Sequence, residues 1–455
     1  MKKHFTILLA IFSITVAVHA QPNNLIDWHN KDLNADKVFG ISTIKAYDLL
    51  KGKTSKPVIV AVIDAGIDTL HEDLKSILWI NPKKKKGDNG SYGWSYIGSK
   101  KGNVQYDNME LTRQVRQYQQ KDTTKLTAID FKVYLQKKAE LDKQLSLYKK
   151  MLYGLESMKN VPEGMITMIA PLKTAVNYHL NLAYDPRAEL VGDDYFDSKE
   201  RNYGSPDNNG PDPMHGTHVA GIIAASRNNG IGMDGIADNV KIMAIRAVPD
   251  GDERDKDIAN AIRYATDHGA KVINMSFGKY YTHDKRIVDK AVKYALKKDV
   301  LLIAAAGNDN KNIDSSVHYP NRNYVDGGQA GAWIVVGASS SVNDANLKAG
   351  FSNYGKTTVD VFAPGVKIYS SVPGSKYEYQ DGTSMASPVV AGLAAMIRGY
   401  YPKLTALQVK EIILKSVVKV DHLVTLNKKD VPFTDLCSTG GIVNALRALQ
   451  LAATY

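Results

Sequence analysis

The fold is decided by the stretch PVIVAVIDAG, which spans residues 57–66. An unbroken apolar and mostly β-branched run precedes Asp64, which is typical of a strand buried on both faces of a parallel sheet. Open parallel sheets place their sites at the carboxyl ends of their strands, which makes Asp64 a candidate functional residue. Taken alone, the same residues are more simply explained as an Asp-x-Gly turn.

Further strands and helices alternate along the second half of the chain. The pattern predicts strands at 241–245, 271–275, 300–305 and 333–336. It predicts helices at 215–225, 255–268, 284–298, 384–400, 405–417 and 442–452. Such alternation implies right-handed crossovers, and therefore an α/β fold in which helices flank both faces of a parallel sheet.

Residues 83–194 interrupt this alternation. A basic run at 83–86 and a Gly/Asn/Ser-rich stretch at 87–102, predicted to be a surface loop, precede a strongly charged helix. Apolar residues recur along that helix in steps of three and four, interrupted once by Lys138, which predicts a narrow packing seam. They are Tyr134, Leu141, Leu145, Tyr148, Leu152 and Leu155. The helices are expected to cover their own domain, and a partner-binding device is the alternative.

The N-terminus resembles an export signal. Two lysines precede an apolar run at 5–18 and a small-residue cleavage site that ends at Ala20. The apolar run is short for a membrane anchor, and no later stretch approaches a transmembrane span. We therefore divide the chain into a signal peptide (1–20), a first catalytic part (21–82), a loop and helical insertion (83–194) and a second catalytic part (195–455). The mature protein is expected in the periplasm or outside the cell.

The net charge and the cysteine content argue against two possibilities, nucleic-acid binding and an intrachain disulfide. The 455 residues carry a formal net charge of +11, but the basic residues do not alternate with aromatic residues, so nucleic-acid binding is not predicted. Cys437 is the single cysteine, which excludes an intrachain disulfide. No histidine signature surrounds Cys437, and we interpret it as a filler of the core or surface.

Three further residues have the chemistry of a nucleophilic site. Ser384 lies at the start of an apolar helix, where unpaired N–H groups create positive potential, although a G-T-S sequence alone is more simply a helix cap. His215 opens another helix, and Asn308 follows a buried strand and a glycine. Acyl transfer to a hydroxyl needs a base, a carboxylate that orients the base, and donors for the oxyanion. Asp64, His215 and Ser384 stand in one of the known triad orders.

Five sequence blocks in this order resemble the subtilisin-like serine proteases, the subtilases. They are VIDAGID (62–68), HGTHVAG (215–221), VINMSFG (272–278), AAAGN (304–308) and GTSMASP (382–388). The resemblance covers nearly all of residues 27–82 and 195–455. It implies a subtilisin-like sheet with Ser384 as nucleophile, His215 rather than His218 as general base, and Asp64 as the orienting carboxylate. Asn308 and the backbone N–H of Ser384 would form the oxyanion hole.

The same resemblance implies where the substrate binds. One wall of the specificity pocket would be Ser276, Phe277 and Gly278, and the other would include Ala305 and Gly307. The opposing segment maps to 251–254, whose charges predict a preference for basic or polar residues upstream of the cut. Asp309 is predicted to add negative charge at the rim of the pocket.

The resemblance also implies a structural calcium site at Asp73 and Asn229, for which a simple turn is the alternative. No catalytic cofactor is implied. Three features depart from the family pattern. Ala65 replaces the Ser or Thr that usually follows the catalytic Asp. Residues 20–64 leave little room for a propeptide, so we expect folding without an intramolecular chaperone. The segment 83–194 separates Asp64 from His215 by much more than the family core requires.

These observations predict an exported serine endopeptidase that acts on proteins or peptides through an acyl-enzyme. Two alternatives remain open. One is a dedicated processing peptidase with few substrates, and the other is a weakly active binding or scaffold member that uses the helical insertion to hold a partner.

Overall fold

The computed structural model describes residues 26–82, 92–121 and 127–455. The predicted signal peptide and the basic run at 83–86 lie outside these residues. The strands are β1 (Val58–Asp64), β2 (Gly93–Ser95), β3 (Gly98–Ser99), β4 (Gly102–Asn103), β5 (Val240–Arg246), β6 (Val272–Met275), β7 (Leu301–Ala305), β8 (Trp333–Ser339), β9 (Val361–Pro364), β10 (Ile368–Val372), β11 (Lys376–Gln380), β12 (Val418–Lys419), β13 (Leu423–Leu426), β14 (Lys429–Pro432) and β15 (Gly441–Ile442).

A nine-stranded sheet in the order β12-β15-β9-β8-β7-β6-β1-β5-β2 forms the centre of the protein. Its neighbouring strands are parallel, except that β12 and β15 pair antiparallel at one edge. Strand β1 lies between β5 and β6, with Asp64 opposite Arg246. The predicted parallel α/β sheet is therefore confirmed, and Asp64 lies at the carboxyl end of an interior strand.

The helices are α1 (Leu33–Asp36), α2 (Thr43–Leu50), α3 (Glu110–Gln120), α4 (Ala128–Glu156), α5 (Glu163–Ile166), α6 (Ile169–Thr174), α7 (Pro186–Leu190), α8 (Met214–Ala224), α9 (Asp255–Asp267), α10 (Lys285–Lys297), α11 (Thr383–Tyr400), α12 (Ala406–Lys415) and α13 (Ala445–Ala452). Short 3₁₀-helices occupy Trp28–Asn30 and Phe433–Asp435, and a π-helix occupies Ala175–His179. Within the described residues, no helix has the length and apolar character needed to cross a membrane.

Helices cover both faces of the sheet, as predicted. Alternate residues of β1 point to opposite sides, so that Val60 and Val62 pack in one core and Ala61 and Ile63 pack in the other. The first core also contains the buried side chains of α8 and α11, and the second contains those of α9 and α10. Cys437 is fully buried in the second core, which confirms its interpretation as a filler.

The charged segment forms the predicted long helix, α4. Thr127 and Asp130 cap its N-terminus with reciprocal hydrogen bonds between side chain and backbone, which is a capping box. This helix packs on α3 around Leu141 and on α6 around Leu152. The prediction of a surface loop over 87–102 is wrong at β2, which pairs with β5 and extends the sheet. A three-residue strand with few apolar residues shows no clear hydrophobic periodicity in the sequence. Strand β2 forms because it pairs with β5.

Candidate active site

Asp64 and His215 meet at the carboxyl end of β1. Asp64 is 2% exposed, and its Oδ1 accepts hydrogen bonds from His215 Nδ1 at 2.7 Å and from the Ala65 N–H at 2.8 Å. His215 is the second residue of α8, and 37% of its side chain is exposed. Because Nδ1 donates to the carboxylate, Nε2 of the neutral ring is left as a proton acceptor.

The Asp64 carboxylate also changes the acidity of His215. Partial burial acts to lower the pKa of His215, but the charge of Asp64 and the hydrogen bond to it outweigh burial. The pKa of His215 is therefore raised above its ordinary value. An imidazole with a raised pKa is a stronger base in its neutral form, which suits a group that must accept a proton from a hydroxyl.

Ser384 is the second residue of α11, at the start of the helix as predicted. Its Oγ donates to the backbone oxygen of Ser276 at 3.0 Å, and Ser276 Oγ donates in return to the backbone oxygen of Ser384 at 2.9 Å. Among the described residues, no hydrogen bond joins Ser384 to His215. Ser276, the hydrogen-bond partner of Ser384, lines a cavity together with His215.

Asn308 is oriented by the first residue of α11. Its Oδ1 accepts hydrogen bonds from both the N–H and the hydroxyl of Thr383, each at 2.9 Å. This fixes the amide orientation and leaves Nδ2 without an acceptor among the described residues. A Cβ added to Gly382 would lie 3.5 Å from Ser384 N and 3.6 Å from Asn308 Nδ2. The absence of a side chain at residue 382 thus keeps open a space between two donors that suits an oxyanion.

Of the predicted wall residues, Ala305 lines a cavity of about 200 Å³, together with Ala304 and His318. The two glycines of these walls both lie against one further residue, His318. A Cβ on Gly278 would come within 2.0 Å of His318 Cε1, and one on Gly307 would lie 3.5 Å from its Nε2. Burial lowers the pKa of His318 to about 4, which keeps the ring neutral near pH 7. The sequence prediction missed His318. The one available signal was that both walls contain a glycine, which indicates that a side chain from elsewhere in the chain packs against them.

A second cavity, of about 290 Å³, lies beside His215. Ser276 and the half-buried Phe277 contribute to it, and their contact with substrate stays a prediction. Val248, Pro249, Asp250 and Gln105 also line this cavity. Gln105 belongs to the segment 83–194, which therefore forms part of the wall of the candidate cleft.

The prediction that the charges of 251–254 contact substrate is wrong, because these side chains are buried. Asp252, Glu253 and Arg254 are 6%, 2% and 3% exposed. Asp252 Oδ2 accepts from the Glu110 N–H at 2.7 Å, and the Arg113 guanidinium donates to the Asp252 backbone oxygen at 2.9 Å. Charge in a sequence usually indicates exposure, and only the fold shows that α3 covers this segment. Asp309 is exposed and accepts a hydrogen bond from the Tyr280 hydroxyl, and its place at the rim of the pocket stays a prediction.

The two predicted calcium ligands come together but form a direct hydrogen bond. Asn229 Nδ2 donates to Asp73 Oδ1 at 2.6 Å, and Asp73 Oδ2 is buried without a partner. Calcium needs six to eight oxygen ligands, whereas here an amide nitrogen faces the carboxylate. Within the described ranges, no cluster of three or more His, Cys, Asp or Glu side chains has a metal-binding arrangement. The site as arranged does not fit calcium, and calcium binding stays a prediction.

The fold is a parallel α/β sheet, and the site contains the groups that a serine hydrolase needs. Residues 55–438 match the model described as the Subtilase family, which is most of the chain. This protein therefore belongs to the subtilase family.

Individual relatives match over shorter stretches. The thermophilic serine proteinase of Bacillus sp. (strain AK1) is 47% identical over 191 residues, which are 41% of this chain and 44% of that protein. The cell wall-associated protease of Bacillus subtilis (strain 168) is 38% identical over 252 residues, 55% of this chain and 25% of that protein. This chain thus spans less than half the length of these two relatives.

A solved structure supports the fold. A protease from Pseudoalteromonas arctica PAMC 21717 is similar with a TM-score of 0.56 and 21% identity. The match covers 94% of this chain and 98% of that one. At this level of identity, the likeness shows that the two proteins share a fold.

Proposed function

We propose that this protein is an exported serine endopeptidase that cuts proteins or peptides through an acyl-enzyme on Ser384. The observation that carries the proposal is the 2.7 Å hydrogen bond between His215 Nδ1 and Asp64. It fixes the tautomer in which Nε2 accepts a proton, which is the role of a general base beside a serine nucleophile. Membership of the subtilase family supports the same assignment.

In the proposed reaction, the Ser384 hydroxyl leaves the Ser276 oxygen and rotates toward His215 Nε2. As Oγ attacks the carbonyl carbon, His215 takes its proton and Asp64 stabilises the imidazolium. The Asn308 Nδ2–H and the Ser384 N–H stabilise the oxyanion. His215 then protonates the leaving amine, and a water molecule deprotonated by His215 hydrolyses the acyl-enzyme, which restores the serine.

In this proposal, two cavities bind the substrate residues on the acyl side of the cut. The cavity at Ala304 and Ala305 would receive the side chain that precedes the cut, against the neutral His318 ring. The cavity beside His215 would receive the residue before it, between Phe277 and Gln105. Because Gln105 comes from the segment 83–194, this segment would take part in selecting substrates. That observation favours a dedicated processing peptidase as the second candidate.

Digestion of casein followed by mass spectrometry tests the proposal, with wild type compared with Ser384→Ala. We expect internal cuts by wild type and a loss on the order of a million-fold in the variant, a magnitude known from subtilisin itself. Activity should rise with pH through the raised pKa of His215, since only the neutral ring accepts a proton. Equal digestion by both proteins would refute the assignment of Ser384. A single cleaved sequence in a protein library would support the processing peptidase.

A further inference from the structure

The loop that carries Asn308 has an irregular backbone. It follows β7 and includes two residues in the left-handed region, Gly307 with a φ of +98° and Asn310 with a φ of +52°. A loop of this shape lacks the repeating hydrogen bonds of a helix or strand, so other parts of the protein must hold it. Oxyanion donors stabilise the transition state only when they are fixed in place before the reaction.

One buried side chain holds this loop on both sides of Asn308. Asn353 is completely buried, and its Oδ1 accepts hydrogen bonds from the Asp309 N–H at 3.1 Å and the Lys311 N–H at 2.8 Å. Its Nδ2 donates to the Ala306 backbone oxygen at 2.9 Å. The backbone N–H of Asn353 also donates to the Gly307 oxygen at 2.9 Å. Four hydrogen bonds therefore connect this one residue to the loop.

The fit between Asn353 and the loop is close. A Cβ added to Gly307 would lie only 2.4 Å from Asn353 Nδ2. From the other side, the Thr383 hydroxyl accepts from the Gly307 N–H at 3.0 Å and donates to Asn308 Oδ1. Thr383 thus orients the Asn308 amide, while Asn353 fixes the backbone from which that amide extends.

We propose that Asn353 is a positioning residue for the oxyanion donor Asn308. The inference rests on the proposed peptidase function. Asn353 does not reach the reacting atoms. It acts by holding the backbone of 306–311, so that Asn308 Nδ2 points into the space beside Gly382. Loss of the contact to Ala306 would let Asn308 move away from the oxyanion, while Ala304 and Ala305 stay in place because they belong to β7.

The test is Asn353→Asp, which preserves the side-chain shape and the Oδ1 acceptor but places a second acceptor against the Ala306 oxygen. We expect kcat to fall about 10- to 100-fold with KM changed by less than about threefold, since a small misplacement of a catalytic group is costly. Active-site titration normalises the rates to the folded fraction. Asn353→Ser is the second variant if the aspartate version folds poorly.

A double-mutant cycle with Asn308→Ala separates positioning from general destabilisation. If Asn353 acts through Asn308, Asn353→Asp should lower kcat less than about threefold in the Asn308→Ala background. An equal loss in both backgrounds would overturn the proposal. An inactive wild type would instead refute the peptidase function.

The matched control is Asn444→Asp. Asn444 is 7% exposed, begins α13 by accepting from the Arg447 N–H, and donates to Ser42 Oγ at 2.8 Å. None of these partners belongs to the loop at 306–311. The same amide-to-carboxylate change at Asn444 should therefore leave kcat unchanged, and a comparable fall there would also contradict the proposal.

Discussion

The segment 83–194 contains two regions whose ion pairs differ in burial. We call residues 92–121 and 183–194 the inner part, and residues 127–182 the outer part. In the inner part, Arg187 is fully buried and bonds Asp257 at 2.6 Å and Asp193 at 2.8 Å. In the outer part, Lys138 and Asp142 also pair closely, but their side chains are 30% and 54% exposed.

This difference shows which region is anchored to the sheet and its helices by buried charges. A buried charge that loses its partner is strongly destabilising, whereas an exposed pair contributes little. The inner part is also connected to the candidate site, because Arg246 donates to the Ala65 oxygen at 2.8 Å and to the Ile97 oxygen at 3.1 Å. The outer part packs on the inner part through one small apolar cluster, in which Leu141 and Leu180 contact α3, and it forms a second cluster around Leu152 from its own residues. We therefore expect the inner part to be essential and the outer part to be dispensable for catalysis.

The largest effect is expected for Arg187→Met. The substitution leaves Asp257 buried without its ion-pair partner, while Asp193 keeps Lys256 at 2.8 Å, and we expect a loss of about 3–5 kcal/mol in the free energy of unfolding. Urea denaturation followed by fluorescence measures this loss. A loss below about 1 kcal/mol, as is usual for an exposed pair, would show that the inner part is not anchored by its buried charges.

Leu141→Ala should have a large but local effect. Leu141 is 1% exposed and packs with Leu111, Val115 and Leu180, so its truncation should destabilise α4 by about 2–3 kcal/mol. Hydrogen exchange should accelerate along α4 but not along β1, while peptidase activity changes less than about twofold. A parallel loss of activity would mean that the outer part supports catalysis.

A pH-dependent effect on stability is expected for Glu253, which the inner part covers. Burial raises the pKa of Glu253 from 4.5 to about 8. Between these values the unfolded chain has lost the proton that the folded protein retains, so stability decreases as pH rises through this window. Glu253→Gln removes the effect, and its advantage over wild type should grow by about 1.4 kcal/mol per pH unit between pH 5 and 8.

Urea denaturation at several pH values measures this difference. Glu163→Gln, at an exposed position of the outer part, is the matched control for the substitution itself. An advantage of Glu253→Gln that does not change with pH would contradict the assignment of a protonated, buried Glu253.

The smallest effect is expected for Lys138→Ala. This exposed pair with Asp142 should contribute less than about 0.5 kcal/mol, and the contribution should decrease with added salt. Thermal unfolding at low and high salt measures it. A loss comparable to that of Arg187→Met would remove the distinction between the two parts.

Local patterns predicted most of the fold. The β-branched run of β1 and the apolar seam of α4 are properties of neighbouring residues, and both elements formed where expected. The ion pair between Arg187 and Asp257 joins residues 70 positions apart, and nothing near either residue indicates that it is buried. For the same reason, the burial of Glu253 and the contribution of Gln105 to the cleft could not be predicted from the sequence.

The candidate site was predicted in part. The motif order brought Asp64 and His215 into the expected contact, and it placed Ser384 at the start of α11. The sequence did not indicate that the Ser384 hydroxyl would bond the Ser276 oxygen, because a side-chain rotamer depends on the local packing. His318 was missed because a lone histidine in a loop has no motif, and only its packing against Gly278 places it in the pocket.

The central claim, that Ser384 is an activated nucleophile, is tested most directly by labelling with a fluorophosphonate. The folded protein is incubated with the reagent at a pH above the pKa of His215, and its intact mass and peptide map are then measured. The account predicts one adduct per chain, located on Ser384 and absent from Ser384→Ala. No adduct on the folded wild type, or an adduct that persists in Ser384→Ala, would contradict it.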